Sequence, residues 1–272
     1  MTGVMRAEDA AGRCVPAAHG LQWLRQGLEL FAATPLVWIG MALLFLVVAI
    51  VLGVIPFASM LFTVAAPILL GGVLIGCEQQ RLGAPLEVRH LFSGFEPPFL
   101  QPLALVGALY LAGTVVVFIP AMALAVMAMM TTAAVGVLSP RAGLGALLML
   151  AVVIVSIFLA SMVLSLAVWF APALVVFRGD PPIEALKISL RAAWRNIAAF
   201  LLYAVSLAGL GLVTMAPMFA AILLAARLPT ESAPLAIVAV GGTGLFALCG
   251  MLVILPTTWA AMYASYRDVF EE

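Results

Sequence analysis

The chain has 272 residues, of which 66% are hydrophobic and only 9% charged, with zero net formal charge and a mean hydropathy of +1.26. Soluble domains carry roughly 25% charged residues, so a water-soluble globule is excluded, and the balanced charge argues against a dedicated nucleic-acid surface. Cys14, Cys77 and Cys249 lack metal-ligand spacing and read as small buried hydrophobes.

In chain order, residues 1–15 read as a cytoplasmic N-terminal tail. Glu8 and Asp9, with no apolar run before Pro35, do not make a signal peptide. Residues 16–272 read as a single membrane domain. Its first element is an interfacial helix over 16–34. At about 100° per residue, Leu21, Leu24, Leu28 and Phe31 fall on one side, and His19, Gln22, Gln26 and Glu29 on the other. Such a helix lies in the membrane interface instead of crossing it.

A crossing helix needs about 20 apolar residues for a hydrocarbon core of about 30 Å. Residues 36–55 and 57–77 meet that requirement and form a tight hairpin around Pro56. Four more spans are predicted at 103–130, 144–177, 197–226 and 235–262. The third and fourth are long, and tilt, kinks or helix beyond the lipid account for the excess. Between hairpins lie Leu86, Leu91, Phe92 and Phe95, a short amphipathic stretch, and then Pro182–Asn196. In that last segment Leu186, Leu190, Trp194 and Ile197 form an apolar stripe rimmed by Lys187, Arg191 and Arg195. Their long stems can follow the apolar surface while the charges reach the headgroups. Lys187, Arg191, Trp194 and Arg195 are therefore the candidate lipid-headgroup contacts, with anionic lipid as partner. The competing reading is a connector that only packs under the bundle.

Charge sets the orientation. With six spans, Arg6, Arg13, Arg25, Arg81, Arg89, Arg178, Lys187, Arg191, Arg195 and Arg267 share one side, and Arg141 and Arg227 the other. The positive-inside rule then places both termini in the cytoplasm. One extra span before Arg141 would put Arg178–Arg195 outside, against that rule. Short loops and Ala/Gly/Arg-rich usage favour a bacterial inner membrane.

The fold class predicted is an all-α polytopic bundle of six spans with amphipathic cytoplasmic helices, organised as three units of leading segment plus hairpin. In each unit the first span ends on an apolar-Pro pair (Ile55-Pro56, Ile119-Pro120, Ala216-Pro217). The second span of each carries its own proline, Pro67, Pro172 or Pro256. Proline is common in membrane helices, so independent kink placement is the alternative to a repeat.

The run Ile183-Glu184-Ala185-Leu186-Lys187-Ile188-Ser189-Leu190-Arg191-Ala192-Ala193-Trp194-Arg195-Asn196 resembles the pre-helix signature of a broad bacterial group. That group includes the membrane domain attached to some glycerophosphoryl diester phosphodiesterases. Val15-Pro16-Ala17-Ala18-His19-Gly20-Leu21-Gln22-Trp23-Leu24, with Leu28, Phe31 and Pro35–Trp38, is more specifically similar to an uncharacterised proteobacterial six-span integral membrane family. The same likeness extends to His90-Leu91-Phe92-Ser93-Gly94-Phe95. These resemblances imply a six-helix fold and an inner-membrane address, and no activity.

No Asp, Glu, Lys, Arg or His lies deep in a predicted span, which removes the usual carriers of proton coupling and voltage sensing. Ser156, Ser161, Ser165, Thr214, Thr257 and Thr258 read as interhelical hydrogen-bonding groups. Gly209, Gly211, Gly241, Gly242 and Gly244 read as close helix packing, since no Walker lysine accompanies them. Met122, Met127, Met129 and Met130 read as lipid-facing or gap-filling. Glu87, His90 and Ser93 can be arranged on paper as a catalytic trio, without a nucleophile-elbow context; convergence of Glu78, His90 and Asp180 would be a second route to catalysis. No cofactor motif is present. The expected role is non-catalytic: membrane organisation through lipid, a membrane-protein partner or a second copy. The alternative is a small-solute or lipid permease, for which Pro67, Pro120, Pro172, Pro217 and Pro256 provide possible helix breaks.

Overall fold

The computed structural model describes residues 12–55, 57–135, 140–229 and 232–271. Arg6, Glu8, Asp9 and Pro56 lie outside them. The described chain is an all-α bundle with six helices long and apolar enough to cross a membrane. We label α1 His19–Ala33, α2 Pro35–Val54, α3 Ala58–Arg81, α4 Leu100–Val135, α5 Pro140–Trp169, α6 Pro182–Arg195, α7 Ile197–Ala225 and α8 Ala233–Phe270; a 3-10 segment, Val88–Phe95, precedes α4. The helices run past the predicted apolar limits because the hydropathy signal ends where charges begin and the hydrogen-bond ladder does not. Thus α3 continues to Arg81 and α8 to Phe270, carrying Glu78, Arg81, Arg267 and Asp268 on helix beyond the apolar run.

The three hairpins are α2/α3, α4/α5 and α7/α8. Each leading segment packs on the hairpin before it, in cyclic order. The 3-10 segment lies on α3, α6 lies on α5, and α1 closes the ring by lying on α7 and α8. The contact is the same kind in all three units: a small residue pressed against a carbonyl and the amide four residues on. A Cβ at Gly94 would collide with the Ile68 carbonyl and lie 3.2 Å from the Gly72 nitrogen. One at Gly27 would come within 2.6 Å of the Thr257 carbonyl oxygen and 2.9 Å of the Ala261 nitrogen. Relative to Pro67 and Pro256 these are equivalent positions, one and five residues after the proline. The third unit departs from this register, as shown below.

The predicted stripes are rotated from the faces that bury. In α1, Leu21 is 55% exposed, while Gly20, Trp23, Leu24 and Gly27 face the bundle. In α6 the buried set is Ala185, Ile188, Ser189, Ala192 and Ala193, with Leu186 and Leu190 only partly covered. In the second unit Leu86 and Leu91 bury and Phe92 and Phe95 do not. Small residues let backbones approach closely, and inside a membrane-bound bundle that gain outranks side-chain hydrophobicity.

Close packing is absent where glycine density suggested it. A Cβ at Gly209, Gly211, Gly241, Gly242 or Gly244 would meet nothing within 4 Å. Of the predicted breaks, Pro67, Pro120, Pro217 and Pro256 sit inside continuous helices. Among the described residues the interruption comes at Phe170, just before Pro172, and Leu174–Arg178 follows as a π-helical turn.

Candidate functional site

The Phe170 interruption is stabilised by α6. Ser189, fully buried, donates its hydroxyl to the Leu166 carbonyl at 2.8 Å and accepts the Phe170 amide at 3.0 Å. One hydroxyl has been inserted into the i to i−4 ladder of α5, satisfying both groups it separates. In this unit the small residue therefore meets the span six and two residues before the proline, two turns from the register of the other units. Two short ties thus fix α6 against α5, and its opposite flank is turned outward.

That flank carries the sequence candidates. Lys187 and Arg191 expose 58% and 53% of their side chains, and Trp194 is 60% exposed. Glu184 lies 3.7 Å from both Lys187 Nζ and Arg191 Nη2, long for a charge-assisted bond. Arg195 donates to the Gly12 carbonyl at 3.2 Å. An indole flanked by Arg191 and Arg195, with Lys187 two turns earlier on the same rim, on a helix whose other face is locked into the protein, is an outward-facing amphipathic edge.

At the junction of α6 and α7, buried Asn196 holds the incoming N-terminal strand. Its Oδ1 accepts the Val15 amide at 2.7 Å, and its Nδ2 donates to Arg13 and Ala192 carbonyls at 3.0 and 2.9 Å. The same strand reaches α8, where Asp268 accepts Arg13 Nη2 at 2.5 Å and Trp23 Nε1 at 2.7 Å and has His19 Nδ1 at 2.8 Å. Residues 12–15, read from the sequence as tail, are thus bound to α6 and α8. Sequence reasoning missed Asp268 as an organising residue, because its partners are some 245–255 positions away.

Between the hairpins the packing is uneven. The first and second are joined along α3 and α4, and the third meets the first through α8 on α2 and α3. Among the described residues neither α4 nor α5 packs along α7 or α8. Trp169 bridges that seam near its charged end, edge-on to Phe200 and Tyr203 at 5.5 Å and donating to Ser265 Oγ at 3.0 Å. Below it runs a groove of about 430 Å³ between α5 and α7, lined by Met162, Leu166, Trp169, Leu201, Ala204 and Leu207 among others. A second groove of about 470 Å³ is walled by Val163 of α5 and by Leu190, Arg191, Trp194 and Arg195 of α6.

The remaining candidates lie elsewhere. Glu87 and His90 form the N-terminal cap of the 3-10 segment, with His90 Nδ1 accepting the Glu87 amide at 3.0 Å. Glu78 is engaged by Arg81 and Tyr263, and Asp180 by Arg178 at 3.2 Å. His90, Glu78 and Asp180 thus occupy separate partners and do not converge. Ser156, Thr214, Thr257 and Thr258 donate to carbonyls of their own helices, and of these Thr258 also meets the Tyr203 hydroxyl of α7. Met122, Met127, Met129 and Met130 are exposed on α4, the placement that a lipid-facing role requires and a gap-filling one does not. Cys77 is buried as expected, but Cys14 and Cys249 are exposed.

Comparison with known proteins adds an address. The chain is 27% identical over 270 residues to a probable inner membrane protein of Burkholderia thailandensis, covering 94% of this chain and 92% of that protein. No family model matches the chain. No solved structure matches it. The six apolar helices and this near full-length similarity support a multi-pass inner-membrane location.

Proposed function

We propose that this chain is a non-catalytic inner-membrane protein, with both termini and α6 on the cytoplasmic side, that organises the membrane by binding anionic lipid. The observation that carries the reading is the outward edge of α6, where Arg191 and Arg195 flank exposed Trp194 and Lys187 follows the same rim, while Ser189 and Asn196 fix the helix in place. A basic residue beside an anionic surface contributes about 1 kcal/mol. Three such residues on a rigid helix give selectivity without ordering cost. The test is electron paramagnetic resonance of spin-labelled lipids around the reconstituted full chain. Spin-labelled phosphatidylglycerol should be restricted more than phosphatidylcholine, the excess should shrink with salt, and K187Q/R191Q/R195Q should abolish it. Equal restriction of both lipids by the parent chain would overturn the reading.

A lipid permease is the second reading, and the open seam between hairpins two and three favours it. The groove there is lined mainly by apolar side chains, which suits an acyl chain better than a small polar solute. Lipid flip-flop in proteoliposomes, with and without the chain, tests it: acceleration supports the permease, and an unchanged rate removes it.

A further inference from the structure

We propose that the seam between hairpins two and three is a binding site for one anionic diacyl phospholipid, its phosphate on Arg191 and Arg195 and an acyl chain along α5 and α7. The site deepens the lipid reading above and rests on it. Both grooves flank the same two turns of α5: Val163 walls the one under Trp194, and Met162 and Leu166 wall the one in the seam. The α6 helix passes directly into α7 through Asn196, so Arg195 and Ile197 are two residues apart. The cationic mouth and the apolar wall are therefore consecutive in the chain.

The mouth has the chemistry of a phosphate site. A guanidinium has five N–H donors in a planar fork that matches phosphate oxygens. The recorded contacts of Arg191 and Arg195, to Glu184 at 3.7 Å and to the Gly12 carbonyl at 3.2 Å, engage only a part of them. The seam has the chemistry of a chain site. It is lined by Met162, Leu166, Phe200, Leu201 and Leu207, an apolar wall that water does not fill favourably. A transmembrane partner helix is about 10–12 Å across and about 30 Å long, needing on the order of 2,000 Å³. The seam groove holds about 430 Å³, which admits a chain and not a helix.

Brominated lipids quench nearby tryptophans, and this protein is suited to the method. Trp23, Trp38 and Trp259 are buried, which leaves Trp194 at the mouth and Trp169 in the seam as reporters. In W194F, reconstituted as the full chain, quenching reads Trp169 alone. Dibromo-phosphatidylglycerol should quench it several-fold more effectively than dibromo-phosphatidylcholine at equal mole fraction, with the ratio falling towards one in high salt. R191Q/R195Q on that background should remove the preference and keep the quenching. A204F, and independently A208F, should fill the groove and reduce quenching by both lipids. Equal quenching by the two lipids in W194F, or undiminished quenching in both groove-filling variants, would overturn the site. If the site fails while the whole-chain selectivity for spin-labelled phosphatidylglycerol persists, the lipid reading stands without the seam. If that selectivity is also absent, both fail.

Discussion

The two ends of this bundle are built on different principles. At the charged end backbones touch, and buried polar side chains tie the elements together: Asp268 with Arg13, His19 and Trp23; Asn196 with Val15 and Ala192; Ser189 with Leu166 and Phe170. The largest fully buried side chains, among them Trp23, Trp38, Phe170 and Tyr266, are gathered there. At the apolar end Val116, Ile119, Met129, Val152, Val213, Leu223 and Ile237 are all exposed, and a Cβ at Gly241, Gly242 or Gly244 of α8 would meet nothing within 4 Å. In water that surface would be ruinous. In lipid it costs little, because acyl chains are as apolar as leucine. The fold is therefore specified by hydrogen bonds and close approach at one end, while lipid solvates the other.

The comparison breaks most sharply at Asp268. D268A leaves Arg13 Nη2 and the buried Trp23 indole without their carboxylate acceptor, while the Arg13 Nε bond to the residue 268 carbonyl remains, and should destabilise the protein by about 3 kcal/mol. Thermal unfolding in detergent, together with faster proteolysis before residue 19, checks it. An unchanged midpoint would mean the N-terminal strand contributes nothing to the anchor.

Glycines allow the two ends to be compared directly. G94L forces a side chain into the Ile68 carbonyl and should cost about 2 kcal/mol. G242A adds its methyl to open space, and should be neutral or stabilise by up to about 1 kcal/mol through helix propensity alone. Equal losses would show that α8 is packed at its apolar end in the membrane. Between these two falls S189A, which reopens the α5 ladder and should cost about 1–2 kcal/mol. Its second expected effect is faster amide exchange at Phe170, an outcome that simple loss of packing elsewhere would not give.

The six spans were legible because long apolar runs bounded by charges leave one solution, and the α4 and α5 lengths follow from the absence of charge between Glu96 and Arg141 and between Arg141 and Arg178. The cationic edge of α6 was legible for the same reason: Lys187, Arg191 and Arg195 recur every fourth residue on one rim. What hydropathy did not reveal was which face of a leading segment buries. Leu21 and Leu28 outweigh Gly20 and Gly27 on any transfer scale, yet the glycines make the contact, because closeness of backbones is a property of pairs of helices. Asp268 and the open seam belong to the same class, since each is defined by pairs of elements: Asp268 by partners 245–255 positions away, the seam by α5 and α7 side chains that no single apolar run brings together.

Oxygen collision rates of single spin labels in the reconstituted full chain test the central contrast most directly. Labels at Met129, Val213 and Ile237 should show the high oxygen accessibility of lipid-facing sites, and labels at Leu74, Leu103 and Ala193 low accessibility. Low accessibility at all six positions would show that the hairpin arms are packed against protein and would contradict a bundle anchored at one end and solvated by lipid at the other.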